Sequence, residues 1–324
     1  MSITVVGSLA YDRVKTPFGE RKRMLGGAAT HFALAASFFD EVNVVGPIGD
    51  DFAHADLEIL ATRGTQIGDV ERVPGGKTFF WHGEYGWDLN SRETLATELG
   101  VFADFEPKLS ERSREADVLF LANIQPDLQR AVREQCSEAR FTALDSMNLW
   151  IETARDALVG VIERVDCLIL NDAELRQLTE KPNLLSAARE VLSWGPSVVV
   201  AKQGEYGAAL VTAGSIFALP AYPLETVIDP TGAGDTFAGG FLGYVARRLD
   251  DGLDDTILRQ AMAYGTALAS FNVEEFGAER VARLTIEEVE MRVAELRDIT
   301  HFEEPQAATS LAAAGSTSST RKSG

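Results

Sequence analysis

Residues Asp229-Pro-Thr-Gly-Ala-Gly-Asp-Thr-Phe-Ala-Gly-Gly-Phe241 decide how the chain folds and what chemistry it can carry. Val227 and Ile228 close an extended run just before them, and Pro230 fixes one turn dihedral while removing a donor. Gly232 and Gly234 let the backbone take unusual torsions and come close to a ligand. From Thr236 to Leu249 the apolar spacing is helical. The peptide N–H groups of Gly232, Ala233, Gly234 and Asp235 therefore converge at a helix N-terminus, which is an anion hole. Asp235 stands inside the same turn. Its carboxylate can cap the helix. It can equally take a proton from a hydroxyl while the amides stabilise negative charge on a transferring phosphoryl group.

Upstream, short β-branched runs recur at Ile3–Val6, Val42–Val45, Val118–Leu121, Phe141–Leu144, Cys167–Leu170 and Val198–Val200. Each is apolar on successive residues, the pattern of strands covered on both faces. Stretches of helical period lie between and after them: Phe32–Phe38, Leu57–Ala61, Leu175–Leu192 broken at Pro182, Phe237–Leu249, Ile257–Phe271 and Ile286–Leu296. Strands alternating with helices predict an α/β fold with a doubly wound, mostly parallel sheet flanked by helices. The region 67–105 breaks the rhythm with six glycines and the aromatics Phe79, Phe80, Trp81, Tyr85 and Trp87. It reads as a small β insertion, either a lid projecting beyond the main sheet or a hairpin packed on the same core. One domain over 1–303 is expected, followed by a small, polar, aromatic-free tail over 304–324 that is expected to be disordered.

Composition excludes several function classes. Asp and Glu number 49 against 30 Lys and Arg, a formal net charge of −19. Nucleic-acid binding and docking on an anionic membrane both call for basic surface, so neither is expected. An anionic ligand must then be held by a local device. Cys136 and Cys167 give no disulfide framework and no CxxC pair, and with no signal-like start the chain is expected in the cytoplasm. Gly75-Gly-Lys-Thr78 imitates a P-loop, but position 71, where a glycine is needed, is Glu71. Gly232-Ala-Gly234 lacks the sixth glycine of a dinucleotide fingerprint, which sets a Rossmann oxidoreductase far behind. His31, His54, His82 and His301 have no zinc spacing, and no GxSxG elbow surrounds Ser8 or Ser146.

The Asp229–Phe241 segment resembles the C-terminal signature of the ribokinase-like (PfkB) carbohydrate kinases, D-T-x-G-A-G-D-x-F-x-x-G, with Pro230 at the second position. Gly26-Gly-Ala-Ala-Thr-His-Phe-Ala33 is similar to the family's G-G-x-x-x-N-x-A, with His31 in place of the asparagine, and Gly46-Pro-Ile-Gly-Asp50 to its V-G-x-D stretch. Gly7-Ser-Leu-Ala-Tyr-Asp12 resembles the opening G-x-x-x-x-D. The resemblance implies an ATP- and Mg2+-dependent kinase acting on a hydroxymethyl group of a sugar or sugar derivative. It implies Asp235 as general base, Gly232, Ala233 and Gly234 as the anion hole, and Asp12, Gly26, Gly27 and His31 around the acceptor. It places Asn171 and Glu174 (the N-x-x-E motif, Glu174 reaching Mg2+ through water), Lys202 and Gly204 (the K-x-G-x-x-G turn) and Asn272, beside an adenine pocket with Gly277, on the nucleotide side. Asp145-Ser-Met-Asn148 resembles a D-x-N segment near the ATP phosphates, and Asp229 lies where some members hold a monovalent cation such as K+. A nucleoside kinase of the same superfamily, with the base stacked on lid aromatics, is the alternative. A catalytically silent regulatory member is a remote one, and a homodimer through the lid stays open.

Overall fold

The apolar runs are strands because each feeds two cores at once. In Ser2–Val6, Ile3 and Val5 pack into one apolar cluster and Val6 into the other. In Val118–Leu121, Val118 and Phe120 face the first and Leu119 and Leu121 the second. Polar residues on either face would be buried without partners, so no alternation survives. The computed structural model describes residues 1–303. The tail expected to be disordered lies outside the described residues.

In chain order the strands are β1 (Ser2–Val6), β2 (Ala10–Thr16), β3 (Gly19–Gly26), β4 (Glu41–Ile48), β5 (Gln66–Arg72), β6 (Phe79–Tyr85), β7 (Arg92–Glu98), β8 (Val118–Leu121), β9 (Phe141–Asp145), β10 (Cys167–Asn171), β11 (Val198–Lys202), β12 (Ala208–Thr212) and β13 (Ile216–Leu219). Nine form the large sheet, in the order β13-β12-β11-β10-β9-β8-β1-β4-β5. It is parallel from β11 to β5, and β12 and β13 turn back antiparallel at one edge. The chain winds outward from β1 to β4 and β5, then returns to the other side of β1 at β8. That reversal opens a crevice at the carboxyl ends of the strands, where ligands of such sheets bind.

The second sheet has four strands, β3-β2-β6-β7. Here the structure differs from the insertion expected over 67–105. Gln66–Arg72 belongs to the large sheet, paired with β4, while the small sheet takes half its strands from residues 10–26. Gly19-Glu-Arg-Lys-Arg-Met-Leu-Gly26 is mostly charged and exposed and has no apolar period, so only its pairing makes it a strand.

Three helices, Ala28–Ala36, Ala233–Arg247 and Asp255–Asn272, cover the sheet face on which Phe32 stacks on Phe120 with ring centroids 4.5 Å apart. They meet through glycine. A methyl on Gly239 would stand 2.3 Å from the Phe32 carbonyl oxygen, so backbone lies directly on backbone. Gly239→Ala should therefore overpack the pair and cost about 1–3 kcal/mol of stability. Urea unfolding measures it, and an unchanged midpoint would show that the helices have slack.

Candidate active site

Several elements deliver their ends to the crevice. Register does much of the work: Asp145 pairs with Ile169, and Asn171 with Lys202, so the last residues of β9, β10 and β11 lie together at the carboxyl edge. Lys202 Nζ donates to Asp145 Oδ2 at 2.9 Å and lies against Gly234, where a Cβ would be 3.0 Å away. The turn before the Ala233–Arg247 helix has Gly232 at φ 75°, and Asp235 sits in the first helical turn. Asp235 has no side-chain partner at the cap and stays half-buried, so the turn opens on the crevice. Opposite stands Asp12, on β2 of the small sheet. Gly26 makes room for it, since a methyl there would sit 2.0 Å from Asp12 Oδ2. Gly27 has φ 98° and lies against the Ser8 and Ala10 backbone, so a side chain at Gly26 would displace the acid and one at Gly27 the strand entry that carries it.

Charge accumulates here without matching cations. Burial, then the charges of Asp229 and Asp235, push the Asp12 pKa up to about 8, against the pull of the Gly27 amide. Burial and Asp145 raise Asp235 to about 7, with Lys202 and Arg92 opposing. Burial and Asp145 likewise raise Glu174 to about 7. Burial works against the Lys202 ammonium, but Asp145, Glu174 and Asp235 outweigh it and hold its pKa above the ordinary value. Acids raised by desolvation beside a helix N-terminus are suited to proton transfer near neutrality.

A profile of the pfkB family carbohydrate kinases matches residues 2–283. The chain belongs to that family. It is a phosphotransferase acting on sugar or nucleoside hydroxyls, and kinases of this family use ATP. It is 32% identical over 257 residues to the cytidine kinase of Thermococcus kodakarensis, covering 76% of this chain and 89% of that one. In fold it is similar to the Methanocaldococcus jannaschii nucleoside kinase, with a TM-score of 0.74, 21% identity and coverage of 91% and 98%. A putative ribokinase II from E. coli, in complex with ATP and Mg2+, matches with a TM-score of 0.74, 20% identity and coverage of 91% and 99%.

Some expected site residues of this kinase hold the site up instead of facing it. His31 is buried beneath the turn, and a methyl on Gly232 would be 2.4 Å from its ring. Its Nδ1 lies 3.0 Å from Asn272 Oδ1, which can only accept, so the proton is on Nδ1. Burial lowers the His31 pKa to about 4, leaving the ring neutral. Asn272 is also fully buried: Oδ1 accepts from Thr236 Oγ1 at 3.0 Å and Nδ2 donates to the Thr231 carbonyl at 2.7 Å. It braces the turn from beneath, and the Gly277 amide donates to Asp229 Oδ2 at 3.0 Å. Asp229 Oδ1 accepts from the Thr231 amide at 2.9 Å, so both oxygens of the acid expected at a K+ site already have amide partners. The Asn171-x-x-Glu174 motif is a capping box, with Asn171 Oδ1 accepting from the Glu174 amide at 2.8 Å and Glu174 Oε2 from the Asn171 amide at 3.0 Å. Asn171 is thereby committed to the helix, and Glu174 keeps one oxygen for the site. Gly204, at φ 58°, starts the loop that meets the small sheet's tip. Of the aromatics, Tyr85 and Trp81 pack in a cluster with Val14, Met24 and Phe276, whereas Trp87 is 90% exposed.

The Asp12 shift has a sign that can be tested. A carboxyl whose folded pKa lies above its unfolded value stabilises the fold at pH below the unfolded value. That contribution is lost as pH rises to about 8. Asp12→Asn should match the wild type near pH 4 and melt higher above pH 8, by about 5–10 °C. Calorimetric scans at both pH values decide it, and a variant that melts lower at high pH would contradict the burial of an ionisable acid.

Proposed function

We propose that this kinase transfers the γ-phosphate of ATP to the hydroxymethyl group of a nucleoside, with Asp235 as the general base. The observation that carries the chemistry is the half-buried Asp235 in the first turn behind Gly232, with Lys202 alongside. The nucleoside class rests on the 32% identity to a cytidine kinase. A free sugar is the second reading, in keeping with the carbohydrate-kinase family profile.

Asp12 would accept from acceptor hydroxyls, which supply donors that a buried acid among acids lacks. Asp235 would take the proton of the attacking hydroxyl, and the amides of Gly232, Ala233 and Gly234 would neutralise the equatorial oxygens of the phosphoryl group. Mg2+ supplies further neutralisation of the phosphates. Among the described residues no three His, Cys, Asp or Glu side chains converge to hold a metal by themselves. Glu174, whose pKa the neighbouring Asp145 helps to raise, fits an ion held mainly by phosphates and water. A requirement for K+ gains no prepared ligand from Asp229. A cytoplasmic setting, where ATP is at hand, goes with this reading.

Asp235→Asn should lose about 10²–10⁴-fold in kcat with the fold intact. In the wild type, kcat/KM should fall about tenfold per pH unit below about 7, because protonated Asp235 cannot act as base. Phosphorylation by the variant at near-normal rate would remove the base assignment. A panel of cytidine, inosine, adenosine, ribose and fructose with ATP assigns the class. Preference for a free sugar would replace the nucleoside reading, and no ADP release with any acceptor would point to a silent family member.

A further inference from the structure

The small sheet reaches across the crevice at two points. Tyr85, at the end of β6, hydrogen bonds through its hydroxyl with Thr231 Oγ1 at 3.2 Å, on the first residues of the anion turn. At the tip of the hairpin, Asn90 Nδ2 donates to Glu205 Oε1 at 3.1 Å, in the loop that follows Lys202. The tip is itself fixed, because Asp88 Oδ1 accepts from the amides of Asn90 and Ser91 at 3.2 and 3.0 Å. The hairpin is therefore pinned both to the phosphate turn and to the loop beside the lysine.

Arg92 lies directly across the hairpin from the first pin and two residues beyond the second. It pairs in register with Tyr85, so the two side chains leave the sheet on the same face, the one that looks onto the turn. Its guanidinium carbon is 5.5 Å from the centroid of the Trp81 ring, and Trp81 pairs in register with Asp12. Among the described residues no carboxylate forms an ion pair with it. In a chain of net charge −19, an arginine facing a crevice full of acids and left without an ionic partner has an open place for an anion. Its charge is felt inside the crevice, where it opposes the rise of the Asp235 and Glu174 pKa values.

We propose that Arg92 is a catalytic residue carried on the small sheet, which binds the transferring phosphoryl group when that sheet is closed on the turn. The assignment rests on the ATP-dependent reading above. In the step, the bond between the γ-phosphorus and the β–γ bridging oxygen breaks, and its electron pair leaves with ADP. A bond forms from the acceptor oxygen to phosphorus, and the acceptor proton passes to Asp235. Negative charge on the three equatorial oxygens is greatest in between. The turn amides approach them from the body of the protein and the planar guanidinium fork from the opposite side. The acceptor is then enclosed before charge neutralisation is complete, so water alone is a poor trigger for transfer.

The test compares Arg92→Ala and Arg92→Lys with the wild type in the full chain. Arg92→Ala should lose about 10²–10³-fold in kcat, the scale of one removed charge-stabilising donor, with the acceptor KM changed less than about threefold. Arg92→Lys, which keeps the charge and loses the fork, should fall between. Added guanidinium should restore part of the Arg92→Ala rate and none of an Arg92→Lys deficit. By calorimetry, ADP with aluminium fluoride and acceptor should bind Arg92→Ala more weakly by a similar factor, while ADP alone binds unchanged. An Arg92→Ala kcat within about threefold of wild type, a loss confined to acceptor KM, or equal binding of the aluminium fluoride complex would overturn the assignment. Should the wild type phosphorylate no acceptor, the kinase reading fails separately, and the ADP–aluminium fluoride titration still decides whether Arg92 binds the mimic.

Discussion

A methyl on Gly239 would sit 2.3 Å from the Phe32 carbonyl oxygen, and one on Gly240 would sit 2.9 Å from that of Tyr264. The Ala233–Arg247 helix is thus held between Ala28–Ala36 and Asp255–Asn272 with backbone against backbone. The consequence reaches the chemistry because of where the helices begin. One starts immediately after the diglycine that makes room for Asp12, and the other starts at the turn that carries Asp235. Packing without slack therefore fixes two helix N-termini side by side. Asn272, at the end of the third helix, ties them again through His31 on one side and Thr236 on the other. Asn272 itself is satisfied at three points, whereas His31 Nε2 is buried with no hydrogen-bond partner among the described residues.

This frame carries an electrostatic load. Asp12, Glu174 and Asp235 are all driven upward by burial, Asp12 also by Asp229 and Asp235, and the other two by Asp145. An acidic molecule that handles a polyanion would repel its own ligand if positive character were spread evenly. It is concentrated instead, in the amides of one turn, in Lys202 clasped to Asp145, and in the guanidinium of Arg92. The acids around them remain short of donors, and that shortage is a form of specificity. A ligand rich in hydroxyls at one end and bringing bound cations with its phosphates at the other relieves both deficits.

The large sheet was legible in the sequence wherever burial on both faces wrote a continuous apolar run, as at Ile3–Val6 or Cys167–Leu170. The turn at Gly232–Asp235 was legible because its glycines and acid are adjacent in the chain. Legibility failed where meaning depends on pairing. The charged Gly19–Gly26 strand has no periodic signal, and its role in the small sheet follows from register with Ala10–Thr16. Arg92 carries no mark in the sequence, because its direction is set by its partner Tyr85 across a bulged hairpin. At His31 and Asn272 the chain spacing is the same whether a side chain looks into the crevice or supports its floor; the structure places His31 against Gly232 and Asn272 between His31, Thr236 and Thr231, which no spacing could say.

The small sheet's grip on the body is light where it is polar and firmer where it is apolar. Across the crevice its polar pins are the Tyr85–Thr231 and Asn90–Glu205 hydrogen bonds, at 3.2 and 3.1 Å, each of a kind worth about 0.5–1.5 kcal/mol net in water. At its root the sheet stays tied to the body, with Tyr11 donating to Asp56 and accepting from the Ala53 amide, and Arg23 donating to the Asp51 carbonyl at 2.9 Å. The contact over the crevice is completed by the cluster of Val14, Met24, Tyr85 and Phe276, with Ile228 contributed from beside the signature turn. Lifting the sheet's free end breaks the two crevice pins together with that cluster, so opening and closing there are governed chiefly by whether the apolar patch is covered. A bound acceptor that shields the patch and donates to Asp12 would add its contacts to the closed state alone. Its binding free energy would then be expressed as closure, the step that brings the guanidinium to the phosphates.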